Sequence, residues 1–267
     1  MAIEDEILAA LDPDQRAVAL ATRGPVCVIA GAGTGKTRAI THRIAYAAAI
    51  GTMDPQKVLA LTFTAKAAGE MRARLRSLGV PTVAARTIHS AALKQLLYFW
   101  PSVFGGRTPD LMTTKTGFLT EAINRAGLSE SIRSTNRELM RDIATEIEWA
   151  KVSQVAPSDY IDEISKRMQK PRVLPEQMVQ IYTAYESVKK QELAIDFEDV
   201  LLLCAAMLEE EREVRERVQD QYRYFTIDEY QDISPVQQRL INAWLGKRND
   251  ICEIGRASCR ERVSSPV

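Results

Sequence analysis

The sequence predicts a parallel α/β fold that carries a helical insertion, and three patterns support this prediction. Short apolar runs, among them 24–30 and 57–64, lack polar alternation, which is typical of strands buried in a parallel sheet. Segments with apolar residues at helical spacing follow these runs, so that strands and helices alternate along the chain. From about 110 to 195 the strand pattern fades and helical spacing dominates.

The strands and helices can be placed from their hydrophobic patterns and from the residues that begin or end a helix. Gly51 ends the helix that follows the first strand, and Gly79 ends the helix over 65–78. Ser234 and Pro235 suit the cap and the first position of a late helix. The predicted strands are 24–30, 57–64, 81–87, 222–228 and 249–254, and one long helix is predicted over 197–218.

Composition excludes several classes of protein. The 267 residues carry no net charge, so the chain lacks the overall basic field of many nucleic-acid-binding proteins. The four cysteines form no C-x-x-C pair and lie far in sequence from His42 and His89, which argues against a zinc site. The acidic N-terminus does not have the pattern expected of a signal peptide, and no apolar stretch approaches the roughly 20 residues of a membrane span. We therefore expect a cytoplasmic monomer with reduced thiols and no membrane partner.

The strongest local signal is the glycine-rich segment AGAGTGKT, which joins a strand to a helix. It fits the phosphate-loop pattern G-x-x-x-x-G-K-[ST], with alanine in place of the first glycine. Backbone N–H groups in such a loop, and the N-terminus of the helix after it, bind phosphate. Lys36 would reach the β- and γ-phosphates, and the Thr37 hydroxyl would ligate Mg²⁺. The candidate nucleotide-binding residues here are Ala30, Gly31, Ala32, Gly33, Thr34, Gly35, Lys36 and Thr37.

The segment YFTIDEYQD supplies the carboxylates that a phosphate loop needs. We assign Asp228 to Mg²⁺ and Glu229 to the polarisation of the attacking water, with Gln231 and Asp232 placed to sense the γ-phosphate. The alternative is a solvated acidic loop, since residues 191–232 hold 13 acids against 4 bases. The apolar run directly before DEYQD favours a strand that delivers these carboxylates to the edge of a sheet.

A local basic region stands out within the neutral chain. Residues 57–107 contain eight lysines and arginines and a single acid, Glu70, as contact with nucleic-acid phosphates requires. Phe63 lies at the end of a predicted strand, between Thr62 and Thr64, where it could stack on a base. Its alternative role is that of a core aromatic, and His89 taken alone is more often structural. A helix face in solvent is the preferred interpretation of Arg72, Arg74 and Arg76.

Six segments in order resemble the motifs of the UvrD/PcrA/Rep group of superfamily 1 DNA helicases. They are LDPDQRAV, AGAGTGKTRAITHRI, LALTFTAKAAGEMRARL, RTIHS, DFEDVLLL and FTIDEYQDISPVQ, distributed over residues 11 to 238. The resemblance implies a RecA-like P-loop NTPase parallel sheet, domain 1A, with an inserted all-helical subdomain, 1B. The implied ranges are 1–110 and 196–254 for domain 1A, 111–195 for subdomain 1B, and 255–267 for a disordered tail foreign to the family.

The resemblance also implies an activity and its residues. The activity is ATP-driven 3′ to 5′ translocation on single-stranded DNA, with unwinding of duplexes and with ATP and Mg²⁺ as cofactors. Gln15 would read adenine and Arg38 would line the nucleotide site. Catalysis would involve Lys36, Asp228, Glu229 and Gln237, with Thr37 and Asp228 on the metal. Contacts with single-stranded DNA are expected from Phe63, Thr64, Lys66, His89 and Ser90.

The chain departs from this group at two places. Members commonly have asparagine where Ala65 stands, so one DNA contact is in doubt. After NDICEI the group continues with Gly-Asp-x-x-Gln, whereas here Arg256 follows Gly255 and Cys259 takes the place of the glutamine. The rest resembles a read-through tail, and the second motor domain with its arginine finger is not seen. We therefore expect this segment alone to hydrolyse ATP very slowly and not to unwind DNA.

Three alternative functions remain open at this point. The chain could be the motor of a helicase–nuclease, which a C-terminal nuclease module would reveal. It could also be an ATP-binding fragment that serves only as an interaction module. A P-loop kinase is the third, but a kinase would not need TFTAKAA, RTIHS and DEYQD in this order. The sequence does not indicate the repair or replication pathway.

Overall fold

The computed structural model describes residues 3–31, 33–128, 137–168 and 170–256. Two sequence predictions lie outside the described residues: the phosphate contact of Ala32, and residues 257–267 of the foreign tail that was predicted over 255–267. The chain divides into two compact units. The sheet unit comprises the described residues of 1–91, 208–233 and 241–267, and the helical unit comprises those of 92–207 and 234–240. The domain boundaries implied by the resemblance stay a prediction.

The sheet unit is built on a parallel sheet of five strands in the order β1-β7-β6-β2-β3. This arrangement confirms the predicted α/β class. Its strands are β1 (Val26–Ile29), β2 (Val58–Thr62), β3 (Ala84–Thr87), β6 (Tyr224–Asp228) and β7 (Ile251–Gly255). Every residue of β2 and β6 is buried, as expected of central strands covered on both faces.

One expectation about the first strand is wrong. The apolar run 24–30 predicts a fully buried strand, but β1 forms one end of the sheet and buries alternate residues more deeply. Cys27 is exposed, and Ile29 is 44% exposed. An end strand has a partner on one side only, so an apolar run does not guarantee burial there.

Helices flank the sheet and position its functional loops. The Asp12 side chain caps α2, accepting a hydrogen bond from the Gln15 N–H, and Pro13 occupies its first turn. Thr64 caps α4 in the same way through the Ala67 N–H. Within the sheet unit or beginning in it lie α1 (Ile3–Ala9), α2 (Pro13–Leu20), α3 (Lys36–Ala49), α4 (Ala65–Ser77) and α5 (Ile88–Val103). None of the described helices is both long and apolar enough to cross a membrane.

The helical unit has its own apolar core, which includes Ile143, Ile147, Ile181 and Tyr185. Its helices are α6 (Thr116–Arg125), α7 (Arg137–Val152), α8 (Tyr160–Ser165), α9 (Pro175–Gln191) and the start of α10 (Phe197–Glu210). A short parallel pair, β4 (Asp110–Leu111) with β5 (Ala194–Ile195), adds strand structure that helical spacing alone did not predict.

The prediction of one continuous helix over 197–218 is wrong. The segment forms two helices, α10 and α11 (Arg212–Gln221), separated by Glu211, whose backbone is extended (φ −96°, ψ 95°). No glycine or proline marks the break, so the sequence carried no local signal for it. A last helix, α12, runs over Pro235–Leu245 after the acidic segment.

A buried ion cluster joins separate elements of the helical unit. The Lys151 Nζ of α7 lies 2.7 Å from Asp196 Oδ2, and the Lys189 Nζ of α9 lies 2.5 Å from Asp199 Oδ2. The Tyr185 hydroxyl donates to Asp196 at 3.1 Å. Burial alone would raise the pKa of Asp196, but the ammonium groups of Lys151 and Lys189 hold that pKa well below the ordinary range. The cluster therefore keeps Asp196 ionised in the interior.

We predict that Asp196→Asn lowers the free energy of unfolding by about 3–5 kcal/mol, because it leaves buried ammonium groups without their counter-charge. Urea unfolding followed by circular dichroism measures this. Asp110→Asn, which removes an exposed ion pair with Arg107, is the matched control and should cost less than about 1 kcal/mol. The pKa of Asp196 is lowered in the folded state, so its contribution to the free energy of unfolding is fully present at pH values above the ordinary carboxyl pKa. This contribution is lost as the pH falls through the lowered pKa of the folded state. Equal losses for the two variants would contradict the assignment.

Candidate functional site

The parallel sheet brings the predicted motifs to one edge of the sheet unit. The phosphate loop follows β1 and the acidic segment follows β6, with β7 between these strands. Phe63 follows β2, and His89 follows β3, its parallel neighbour. Because the carboxyl ends of parallel strands share one edge, four segments separated in sequence meet there.

The phosphate loop has the backbone conformation that its glycines permit. Gly33 and Gly35 both have φ 77°, in the left-handed region. The Thr34 hydroxyl donates to the Gly31 carbonyl at 3.0 Å, and the Ala30 N–H donates to the Gly255 carbonyl at 3.0 Å. Lys36 then begins α3, with no side-chain cap on its first N–H groups. The loop therefore leaves backbone donors at a helix N-terminus for an anion.

Two pairs of side chains connect the loop to the acidic segment. Thr37 Oγ1 donates to Asp228 Oδ2 at 3.1 Å. Lys36 Nζ lies 3.6 Å from Glu229 Oε1, and the lysine side chain is only 9% exposed. Burial raises the pKa of Asp228, while the hydrogen bond from Thr37 acts against that rise. The hydroxyl, the ammonium and the two carboxylates thus form one compact polar group.

Glu229 is held in an unusual backbone conformation by its surroundings. Its φ of 54° and ψ of 46° lie in the left-handed region, which non-glycine residues seldom adopt. The Gln231 amide donates to Glu229 Oε2 at 2.7 Å, and the Gln231 Oε1 accepts from the Arg256 N–H at 3.1 Å. Gln231 therefore bridges Glu229 to the backbone after β7. The sequence suggested a γ-phosphate contact for Gln231 but gave no signal for this bridge.

A cavity of about 730 Å³ opens beside the phosphate loop. The Gln15 Nε2 donates to the Thr34 carbonyl at 3.0 Å, so the side chain expected to read adenine contacts the loop. The Arg38 guanidinium bonds instead to the Ala10 carbonyl, and its nucleotide contact stays a prediction. The lining includes residues outside the six motifs, among them Ala21, Val26 and Cys27.

The predicted DNA contacts differ in their exposure. Phe63 is 56% exposed, which argues against the core-aromatic alternative. Lys66 and Ser90 are exposed as well, and Ser90 Oγ donates to the Thr87 carbonyl. His89 is partly buried, and this burial lowers its pKa. Phe63, Lys66 and Ser90 are therefore accessible to a ligand, while their DNA contacts stay predictions.

Gln237 has a structural role in the helical unit. Its Oε1 accepts from the Ser234 N–H at 3.0 Å, and its own N–H faces the Ser234 hydroxyl at 3.4 Å. This reciprocal arrangement is a capping box at the start of α12. The sequence spacing S-x-x-Q could have predicted it. The catalytic role of Gln237 stays a prediction beside this observed role.

Comparison with known proteins agrees with this geometry. Residues 11–257 match the UvrD/REP helicase N-terminal domain. The chain is 44% identical over 265 residues to the ATP-dependent DNA helicase UvrD2 of Mycobacterium tuberculosis, covering 95% of this chain and 37% of that protein. It is 31% identical over 242 residues to the ATP-dependent DNA helicase PcrA of Leuconostoc citreum, covering 88% of this chain and 31% of that protein. The chain thus spans about a third of the length of these curated relatives.

The family match includes both the phosphate loop and the acidic segment, and the fold has the parallel sheet that brings the two together. On these grounds, the chain belongs to the UvrD/REP helicase family.

Proposed function

We propose that this chain is the ATP-binding part of a motor that moves along single-stranded DNA in the 3′ to 5′ direction and unwinds duplexes. The observation that carries the proposal is the joining of Lys36 and Thr37 to Glu229 and Asp228, across about 190 residues of sequence. The names of the relatives, ATP-dependent DNA helicases, support the same activity. The polarity is inferred from the resemblance described above.

The residues of the site fit ATP and Mg²⁺. A hydroxyl and a carboxylate 3.1 Å apart are oxygen donors of the kind that Mg²⁺ prefers, and we assign the metal to Thr37 and Asp228. Bound Mg²⁺ would neutralise charge on the phosphates. Lys36 would leave Glu229 for the phosphates, which frees the carboxylate to accept a proton from the attacking water. Gln15 would exchange its contact with Thr34 for the edge of the adenine.

One observation also favours the alternative that this chain is an ATP-binding fragment that serves only as an interaction module. All the charged groups of this site lie on one sheet edge, whereas hydrolysis in related NTPases gains about 10³–10⁵ in rate from an arginine supplied by an opposing surface. We therefore propose that the 267-residue segment by itself binds nucleotide but turns it over very slowly and does not unwind DNA. The helicase–nuclease alternative depends on a nuclease module, and the residues of this site do not test it.

We predict Mg²⁺-dependent binding of ATP in preference to GTP, which isothermal titration measures. Lys36→Ala should weaken ATP binding about tenfold or more, because a charge-assisted contact with the phosphates is lost. Gln15→Ala should reduce the preference for adenine over guanine. Lys247→Ala, at an exposed lysine beyond the site, is the matched control. Unchanged ATP binding by Lys36→Ala would show that the phosphate site is elsewhere.

We predict that Gly35→Ala and Gly51→Ala differ in nucleotide binding although both glycines are left-handed. A Cβ at Gly35 would lie 2.5 Å from Gln15 Nε2 and displace that amide, whereas a Cβ at Gly51 meets nothing within 4 Å. Both variants should lose roughly 1–2 kcal/mol of stability from backbone strain. Only Gly35→Ala should also lose ATP affinity in the same titration. Equal affinities in the two variants would argue against a role of the turn at Gly35 in nucleotide binding.

We predict salt-sensitive, sequence-independent binding of single-stranded DNA, measured by fluorescence anisotropy across a salt series. Phe63→Ala should weaken binding at every salt concentration because a stacking surface is lost. Lys66→Gln should reduce the slope of log affinity against log salt concentration by about one, the change expected when one phosphate contact is lost. Lys247→Gln serves as the control and should leave the slope unchanged. Binding that is independent of salt, or that strongly prefers one sequence, would contradict the proposed DNA surface.

A further inference from the structure

The middle of helix α5 has an exposed face that none of the sequence motifs includes. Lys94, Leu97, Tyr98 and Pro101 are all exposed, and their spacing of i, i+3, i+4 and i+7 places them on one side of the helix. Tyr98 is 75% exposed and Leu97 41% exposed. These four residues, which lie in the helical unit, form what we call the α5 face.

The opposite side of the helix supplies the core contacts. Gln95, Leu96 and Phe99 are buried, and the Gln95 side chain contacts the Cys204 thiol of α10. Folding of α5 is therefore explained by its other side and does not require the α5 face. A contiguous group of apolar residues that packing does not require, here Leu97, Tyr98 and Pro101, is a candidate binding surface.

The Tyr98 ring is oriented by a buried neighbour. Its centroid lies 4.8 Å from that of Phe99, with the two rings perpendicular. Phe99 is only 7% exposed, so one ring is anchored while the other projects into solvent. A ring held in this way loses little side-chain entropy on stacking, and a flat exposed aromatic surface suits an unpaired base.

The charge along this part of the helical unit suits a polyanion. Residues 92–109 contain no aspartate or glutamate and two basic residues, Lys94 and Arg107. Asp110, the next acid in sequence, pairs with Arg107. Within the described ranges Lys94 has no ion pair, and it lies one turn before Tyr98. A cation and an aromatic ring one helical turn apart match the alternation of phosphate and base in a single strand.

We propose that the α5 face binds single-stranded DNA, with Tyr98 stacking on a base and Lys94 contacting a phosphate. This inference rests on the proposed function, since α5 begins with the segment that contains His89 and Ser90. Single strands are favoured over duplexes because their bases are free to stack on a side chain. The face thereby adds binding residues beyond Phe63, Thr64, Lys66, His89 and Ser90.

Anisotropy with fluorescein-labelled oligo(dT) tests the proposal in the 267-residue chain. Tyr98→Ala should weaken binding about fivefold or more, the effect expected from loss of one stacked base. Tyr98→Phe should bind within about twofold of the unmodified chain because it keeps the ring. Lys94→Gln should lower the salt slope by about one contact and Lys94→Arg should restore it. Leu174→Ala, at another exposed apolar residue of the helical unit, is the matched control.

A direct readout uses oligonucleotides that carry 5-iododeoxyuridine, with the cross-linked residue identified by mass spectrometry. A cross-link at Tyr98 supports the proposal. If Phe63→Ala weakens binding but Tyr98→Ala does not, and Tyr98 is never cross-linked, the inference fails while the proposed function stands. If no variant or parent binds DNA although ATP still binds, the DNA part of the proposed function fails together with the inference. If Tyr98→Ala instead abolishes a dimer in sedimentation velocity and leaves DNA binding intact, the face joins two copies and the proposal is overturned.

Discussion

The site of the sheet unit depends on the register that β7 imposes on the strands at either side. Ile254 is the register partner of Val28 in β1 and also of Asp228 in β6. A single buried residue is therefore paired with both neighbouring strands. This pairing sets the position of the phosphate loop relative to the acidic segment along the direction of the strands. Neighbouring strands lie about 4.8 Å apart, so the loop and the acidic segment follow strands separated by roughly twice that distance. Thr37 and Lys36 can span this gap only while the register holds.

The sequence predicted those parts of the site that are encoded locally. The phosphate loop and DEYQD each combine an apolar run with a few polar residues, and the runs correspond to β1 and β6. The parallel sheet followed from the alternation of strand and helix. Each strand or helix in these patterns is recognised within some ten to twenty consecutive residues, the range over which periodicity can be read.

The features that the sequence did not predict depend on residues distant in the chain or on the absence of a neighbour. Lys151 and Asp196 belong to segments 45 residues apart, and nothing in either segment indicates their buried ion pair. Ile29 lies on the end strand of the sheet and lines the cavity beside the phosphate loop, and a window of sequence shows neither feature. The break at Glu211 shows the same limit, since the helical pattern of the sequence continues through a residue whose backbone is extended.

The bridge through Gln231 makes the position of Glu229 tolerant of sequence change after β7. The donor at residue 256 is a backbone N–H, and nineteen of the twenty common amino acids carry one. Arg256 therefore supplies this hydrogen bond independently of its side chain. Proline alone would remove it. Every other substitution keeps the hydrogen-bonded link through Gln231 to the Glu229 carboxylate.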